Sequence, residues 1–139
     1  SAYVKSLRPD IRIIGVESEE SACLQAALQA GERVTLPKVG RFADGVAVAQ
    51  VGQHNFELCR HYVDEVLTVS NDDICAAVRD IYDDTRSITE PSGALAVAGL
   101  KQYVKREQCR NQVLVAINSG ANIDFDNLRY VIERAGVVG

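Results

Sequence analysis

Three short apolar runs divide the chain, and amphipathic stretches lie between them. The runs occupy residues 11–16, 65–69 and 113–117 and are rich in Val and Ile. Short continuous runs of this kind are typical of strands that are buried on both faces of a parallel sheet. Because helical periodicity separates the runs, right-handed crossovers are expected between the strands. The sequence therefore predicts an α/β fold with a mostly parallel open sheet and helices on both faces.

The stretches outside these runs predict helices, and local residues predict several of their ends. Ser18 precedes an acidic turn and is the predicted N-cap of one helix, which Gly31 closes. Ser70 and Asp73 have the spacing of a capping box, and Pro91 fits a first helical position. The predicted helices cover residues 2–7, 18–30, 53–63, 70–88, 92–106 and 124–134.

The length and composition of the chain are typical of one domain. With 139 residues and 47% hydrophobic content, the chain can bury a core, so we expect residues 1–139 to form a single α/β domain. A net charge of -4 without a basic stripe argues against a nucleic-acid partner. No apolar run approaches the roughly 20 residues that cross a bilayer. The sequence thus predicts neither a nucleic-acid nor a membrane partner.

The cysteines and histidines favour a reduced compartment and no metal. The four cysteines are widely spaced and form no C-x-x-C pair, which is typical of free thiols in the cytoplasm. His54 and His61 lie seven residues apart on one predicted helix. Metal-binding pairs on a helix lie one turn apart, so this spacing does not predict a metal site.

Small and polar residues follow the third apolar run and form the first candidate site. Residues 118–122 read Asn-Ser-Gly-Ala-Asn and would lie at the carboxyl end of a strand, where open α/β sheets bind ligands. Ser18 and Ser70 are explained as helix caps, which leaves Ser119. The alternative is that Ser119 or Asn122 only caps the next helix.

Gly45 belongs to a second candidate segment. It follows Asp44 in an Asp-Gly turn that apolar residues flank on both sides. One interpretation is a surface turn, and the other is a backbone that must approach a ligand closely.

Three segments, taken together, resemble one enzyme family. They are Phe-Ala-Asp-Gly-Val-Ala-Val at 42–48, Glu-Pro-Ser-Gly-Ala-Leu-Ala at 90–96 and Ser-Gly-Ala-Asn at 119–122. In this order and spacing they resemble the back half of the catalytic domain of biosynthetic threonine ammonia-lyases. These are fold type II pyridoxal-phosphate enzymes, related to the tryptophan synthase β subunit. The resemblance covers essentially the whole chain, and residues 128–134 are similar to the biosynthetic branch.

The resemblance implies a function and roles for single residues. It implies pyridoxal 5'-phosphate as cofactor, L-threonine or L-serine as substrate, and a cytoplasmic homo-oligomer that makes 2-oxobutanoate and ammonia in isoleucine biosynthesis. Ser119 would hydrogen-bond the pyridine nitrogen, Gly45 would lie beside the imine face of the cofactor, and Glu90 would line the cavity near the substrate. Glu17 matches a cation ligand of related racemases. The second ligand in those racemases is also acidic, but the matching position in this chain lies at or near Cys23. No metal site is therefore expected.

The lysines depart from the family pattern. In the family, the Schiff-base lysine and the Gly-rich phosphate loop lie upstream of the position that matches residue 1. None of Lys5, Lys38, Lys101 and Lys105 matches the lysine motif. We therefore expect a fragment of a catalytic domain that is inactive alone. The alternatives are a related serine/threonine dehydratase or racemase, or a self-contained α/β binding module.

Overall fold

Two parallel strands, β1 (Ile14–Ser18) and β2 (Glu65–Val69), form the sheet. Ile14 lies opposite Glu65, and Ser18 lies opposite Val69, so both strands end at the same edge. The computed structural model describes residues 1–136. A parallel sheet with crossover helices confirms the predicted α/β fold class.

Six α-helices surround these strands in the described part of the chain. Two short 3-10 turns, Glu19–Ser21 and Asp44–Val46, complete the regular structure. The helices are α1 (Ala2–Leu7), α2 (Cys23–Ala30), α3 (Gln53–Tyr62), α4 (Asn71–Thr85), α5 (Pro91–Glu107) and α6 (Phe125–Ala135).

Helix α5 lies at the centre of the packing, because it contacts both strands and α4. Small residues allow this close approach. A Cβ on Gly99 would lie 2.4 Å from Cγ2 of Val16 on β1, and Ala94 and Ala98 are buried. The main core includes fully buried Ile74. The small-residue side of α5 thus allows the helix to pack closely against the sheet.

Local sequence signals predicted most helix ends correctly. Ser70 and Asp73 form the expected capping box of α4, and Pro91 occupies the first turn of α5. Gly31 ends α2 in the left-handed conformation, with φ of 74°. That conformation costs a glycine little, since glycine has no Cβ. Helix α4 ends at Thr85, slightly before the predicted end, because Arg86 adopts a left-handed conformation.

The predicted cap of α2 is wrong. The Ser18 side chain accepts a hydrogen bond from the Glu20 backbone N–H at 3.3 Å, and so caps the 3-10 turn rather than the α-helix. The cap of α2 is the carboxylate of Glu17, which accepts from the N–H groups of Leu24 at 2.9 Å and Gln25 at 2.8 Å. Both oxygens of Glu17 therefore satisfy free N–H groups at the start of α2.

The predicted strand at 113–117 is also wrong. Within residues 1–136 this segment has no strand as a neighbour, and apolar composition alone cannot supply the ladder of hydrogen bonds that defines a strand. The side chains of Val113 and Val115 are 93% and 82% exposed, whereas Leu114 and Ala116 are half-buried. The segment thus alternates exposed and half-buried side chains as a strand does, but it is not hydrogen-bonded to another strand in the described region.

The first strand begins later than predicted. Residues 11–13 precede β1, and Ile13 is hydrogen-bonded to Asp64 in the loop before β2. The N–H of Ile13 donates to Asp64 Oδ2 at 2.7 Å, and the N–H of Asp64 donates to the Ile13 carbonyl at 2.9 Å. These two contacts replace a strand ladder at this point.

Two further results concern the whole described region. The four cysteines are free thiols, as predicted. None of the helices between residues 1 and 136 combines the length and apolar character that a membrane span requires.

Candidate functional site

The turn at 118–120 contacts the first residues of α5. The N–H of Glu90, the N-cap residue of α5, donates to the carbonyl of Gly120 at 3.1 Å. The Glu90 side chain covers the same residue, since a Cβ on Gly120 would lie 2.1 Å from Glu90 Oε1. The structure thus brings Glu90 and the neighbour of Ser119 into direct contact.

Gly45 also lies close to the start of α5. A Cβ on Gly45 would lie 2.9 Å from Ser92 Oγ, 3.0 Å from Ser92 Cβ and 3.9 Å from Glu90 Oε1. The Asp44 carboxylate accepts the N–H of Gly45 at 2.8 Å and fixes the turn. Gly45 is therefore required by close approach to α5, and all three predicted site segments meet at the start of one helix.

Sequence reasoning missed Thr89, which connects the two segments. Thr89 is completely buried, and its hydroxyl oxygen lies 2.6 Å from Asn118 Oδ1 and 2.6 Å from the Gly120 carbonyl oxygen. The only signal in the sequence is a hydroxyl residue next to Glu90. Threonine hydroxyls often bond locally in turns and at helix caps, so this signal alone could not have identified it.

Ser92 was also missed as a single residue, although its segment was predicted. It is 9% exposed, and its hydroxyl has no hydrogen-bond partner within residues 1–136. Buried polar groups are nearly always paired, so an unpaired hydroxyl beside Gly45 stands out. The side chain of Ser119, by contrast, is exposed and accessible from solvent.

The lysines lie elsewhere. Lys5 pairs with Asp64 at 2.7 Å, and Lys101 pairs with Asp80. Lys38 and Lys105 are exposed in a loop and on α5, respectively. In the region that the structure describes, no lysine hydrogen-bonds to a residue of the candidate site.

Glu17 is engaged in capping α2, and Cys23 is buried beside it. Burial and the nearby Glu17 carboxylate raise the pKa of the Cys23 thiol, so the thiolate form that binds metals is disfavoured. Over residues 1–136, no three His, Cys, Asp or Glu side chains lie close enough together to share a metal ion.

The structure also contains an apolar cavity of about 310 Å³. Residues of α4 and α6 form most of its lining, together with Ile88 from the loop between α4 and α5. Residues that line it include Val78, Tyr82, Leu128, Val131 and Ile132. Gly45, Glu90 and Ser119 are not among its lining residues, so this cavity is separate from the residues that the sequence singled out.

The chain belongs to the pyridoxal-phosphate dependent enzymes. The sequence profile of the family described as "Pyridoxal-phosphate dependent enzyme" matches residues 1–120, which includes Gly45, Glu90 and Ser119. This confirms the resemblance that the three segments indicated.

Proteins of this family that are similar to the chain include biosynthetic threonine dehydratases. The chain is 56% identical over 137 residues to the L-threonine dehydratase of Burkholderia multivorans and 53% identical over 134 residues to that of Escherichia coli. These matches cover 99% and 96% of the chain but only 27% and 26% of the two relatives. The chain therefore spans about a quarter of the length of these relatives.

A solved structure agrees with this assignment. The processed form of threonine deaminase isoform 2 from Solanum lycopersicum superposes with a TM-score of 0.95 at 46% identity. The match covers 96% of this chain and 39% of that protein. The chain thus has the fold of the corresponding part of a fold type II pyridoxal-phosphate enzyme.

The residues at the start of α5 fit one wall of a pyridoxal-phosphate site. Gly45 and Gly120 let Ser92 and Glu90 lie close to the backbone of the two turns, because a Cβ at either glycine would meet one of these side chains. Ser119 offers an exposed hydroxyl, which can donate to or accept from a ring nitrogen. The unpaired Ser92 hydroxyl and the Glu90 carboxylate lie beside the same two glycines.

Proposed function

We propose that this chain supplies part of the active site of a threonine ammonia-lyase, which converts L-threonine to 2-oxobutanoate and ammonia in isoleucine biosynthesis. The observation that carries the proposal is the meeting of Glu90, Gly45 and the turn at 118–120 at the start of α5. Similarity to biosynthetic threonine dehydratases at 56% and 53% identity supports the choice of reaction.

Ser119 is the proposed partner of the pyridine nitrogen. Pyridoxal phosphate, when bound, withdraws electrons from the substrate while the α-proton and the β-hydroxyl of the substrate leave. A serine hydroxyl is neutral and hydrogen-bonds the ring nitrogen without holding it protonated, as a carboxylate would. Ser119 therefore orients the ring and limits the charge that the ring nitrogen carries.

Glu90 is the proposed residue on the substrate side. Glu90 is the N-cap residue of α5, and its side chain lies beside Gly45 and Gly120. Carboxylate oxygens accept hydrogen bonds, so Oε1 can bind the hydroxyl or the ammonium group of a threonine-like substrate. A Cβ on Gly45 would lie 3.9 Å from Glu90 Oε1, so a larger side chain at this position would crowd the carboxylate.

The proposed protein acts as a homo-oligomer in the cytoplasm. Four free cysteines suit a reduced compartment, and the net charge of -4 gives no electrostatic support for nucleic-acid binding. We expect the 139-residue chain by itself to form no 2-oxobutanoate, because no lysine contacts the candidate site in the described region to serve as covalent anchor and proton carrier.

A chimera tests the proposal directly. The matching segment of the Escherichia coli dehydratase is replaced by this chain, and cofactor binding and 2-oxobutanoate production are measured. We expect a pyridoxal-phosphate protein that is active with threonine. Ser119→Ala should weaken cofactor binding and slow turnover, because a buried nitrogen without a partner costs about 1–3 kcal/mol. Ser87→Ala, at an exposed serine outside the site, is the matched control.

Each other outcome points to a different function. A folded chimera that binds the cofactor but only racemises serine would show that the function is that of a racemase and not of a lyase. A folded chimera without cofactor affinity would favour a self-contained binding module. Equal cofactor affinity and turnover in the Ser119→Ala and unsubstituted chimeras would show that the turn only connects the preceding segment to α6.

A further inference from the structure

Thr89 contacts both residues that flank Ser119. Its hydroxyl oxygen lies 2.6 Å from the side chain of Asn118 and 2.6 Å from the carbonyl of Gly120. The next residue, Glu90, donates its N–H to the same Gly120 carbonyl at 3.1 Å. The turn is therefore held on both sides of Ser119, whose own side chain is exposed.

The hydrogen-bond chemistry gives these contacts a direction. A threonine hydroxyl has one hydrogen and two lone pairs, so it can donate to one partner and accept from another. The Gly120 carbonyl can only accept, and it takes the Thr89 hydrogen. The amide of Asn118 carries an oxygen and an NH₂ group that exchange places on a half-turn, so its NH₂ can donate to Thr89. The resulting chain of bonds runs from Asn118 through Thr89 to Gly120.

Burial makes this chain of bonds rigid. Thr89 is fully buried, so its hydroxyl cannot exchange these partners for water without cost. The backbone of α5 lies close to the same turn at Gly93. A Cβ on Gly93 would lie 2.3 Å from the Gly120 carbonyl oxygen. Thr89 and the start of α5 therefore both pack directly against the turn.

We propose that Thr89 and Asn118 are positioning residues that fix the direction of the Ser119 hydroxyl toward the cofactor ring. This inference rests on the proposed function, since it assumes that Ser119 binds the ring nitrogen. In this role neither Thr89 nor Asn118 is assigned a contact with cofactor or substrate. They act through the backbone of residues 118–120, and they keep the Ser119 side chain in one orientation before the ring arrives.

The test uses the chimera described above and three substitutions. Thr89→Val keeps the shape and removes the hydroxyl, Thr89→Ser keeps the hydroxyl, and Asn118→Ala removes the exposed partner. The matched control is Thr85→Val, because the Thr85 hydroxyl also donates to a backbone carbonyl, that of Ile81 at 2.7 Å, but lies outside the site. The readouts are pyridoxal-phosphate affinity by fluorescence titration, the absorbance maximum of the bound cofactor, and amide hydrogen exchange across residues 118–122.

We expect Thr89→Val to weaken cofactor affinity about fivefold, the usual effect of losing one hydrogen bond. It should also shift the absorbance maximum in the same direction as Ser119→Ala and speed hydrogen exchange in the turn without cofactor. Asn118→Ala should have the same effects to a smaller degree. Thr89→Ser should restore affinity to within about twofold, and Thr85→Val should change none of these quantities.

A double variant separates the two proposals. If Thr89 acts through Ser119, Thr89→Val should have no further effect on cofactor affinity when Ser119 is already Ala. Independent, additive effects would overturn the positioning role and leave the role of Ser119 intact. Unchanged affinity and spectrum in Ser119→Ala itself would overturn the cofactor contact and this inference with it. If Thr89→Val does not fold, Asn118→Ala takes its place and is compared with Thr89→Ser. A loss of cofactor affinity in Asn118→Ala that disappears when Ser119 is already Ala supports the positioning role, and an additive loss overturns it.

Discussion

The carboxylate of Glu90 lies over the α-carbon of Gly120. A Cβ at position 120 would lie 2.1 Å from Oε1 and 2.9 Å from Cδ of Glu90, although a backbone hydrogen bond of 3.1 Å ties the same two residues together. A glycine is therefore required at position 120, because the Glu90 side chain occupies the space that a Cβ would take.

Gly120→Ala should therefore harm function more than stability. The added methyl group meets the far end of a flexible side chain, so Glu90 can rotate away at little cost to the fold. In the chimera we expect turnover to fall about tenfold, a loss of about 1.4 kcal/mol in transition-state stabilisation. The melting temperature should change little. Steady-state kinetics and thermal unfolding of the same preparation measure both.

Gly93→Ala provides the contrast. A Cβ there would lie 2.3 Å from the carbonyl oxygen and 2.8 Å from the nitrogen of Gly120, and a backbone cannot move aside as a side chain can. We expect a loss of about 1–3 kcal/mol in the free energy of unfolding, the usual cost of overpacking. Equal destabilisation by Gly120→Ala and Gly93→Ala would contradict this distinction.

Features that depend on neighbouring residues could be predicted from the sequence. The capping box of Ser70 and Asp73, Pro91 in the first turn of α5 and the left-handed Gly31 are local, so the chain alone determines them. The segment at 113–117 fails for the opposite reason. Its apolar pattern is that of a strand, but a strand also needs a neighbour, which no local pattern can supply.

The same division applies to the candidate site. Gly45, Glu90 and the turn with Ser119 could be named because their motifs resemble a family, and the structure brings their segments together. Thr89 could not be named, since its importance comes from contacts with residues about 30 positions away. Likewise, nothing in the sequence shows that Glu17 rather than Ser18 caps α2.

Ser92→Ala should not destabilise the chain. The Ser92 hydroxyl is buried and has no partner within residues 1–136, so its removal ends a desolvation cost and breaks no bond. We expect the free energy of unfolding to stay constant or to rise by up to about 1 kcal/mol. Ser70→Ala, which removes a capping-box hydroxyl, should instead cost about 1 kcal/mol. Chemical denaturation compares the two, and a loss for Ser92→Ala as large as that for Ser70→Ala would refute the prediction.

Asp64 should make stability depend on pH in the acid range. The Ile13 backbone N–H and the Lys5 ammonium group hydrogen-bond its carboxylate and hold its pKa below the usual range. A lowered pKa in the folded state stabilises the fold above the unfolded pKa of about 3.9, and this contribution is lost as pH falls through the folded value. The melting temperature of Asp64→Asn should therefore lie below that of the natural chain between pH 5 and 8, with the gap closing below about pH 4. Lys5→Gln should give a smaller gap, because the N–H of Ile13 has the larger effect on this pKa. A gap that persists unchanged at pH 3 would contradict the assignment.

The isolated chain should self-associate through the segment at 113–117. Val113, Val115 and Ile117 are 93%, 82% and 72% exposed, and the segment has no strand beside it among the described residues. Exposed alternating apolar residues with free backbone groups are a template for pairing with another chain. Sedimentation should therefore show mass that rises with concentration, and Val115→Lys should reduce it, because burying a lysine at a chain-to-chain contact is costly. Leu58→Lys places the same charge at an exposed apolar position on α3 and should leave the association unchanged. A monodisperse monomer over a wide concentration range would refute the prediction, and an equal effect of both lysines would place the contact elsewhere.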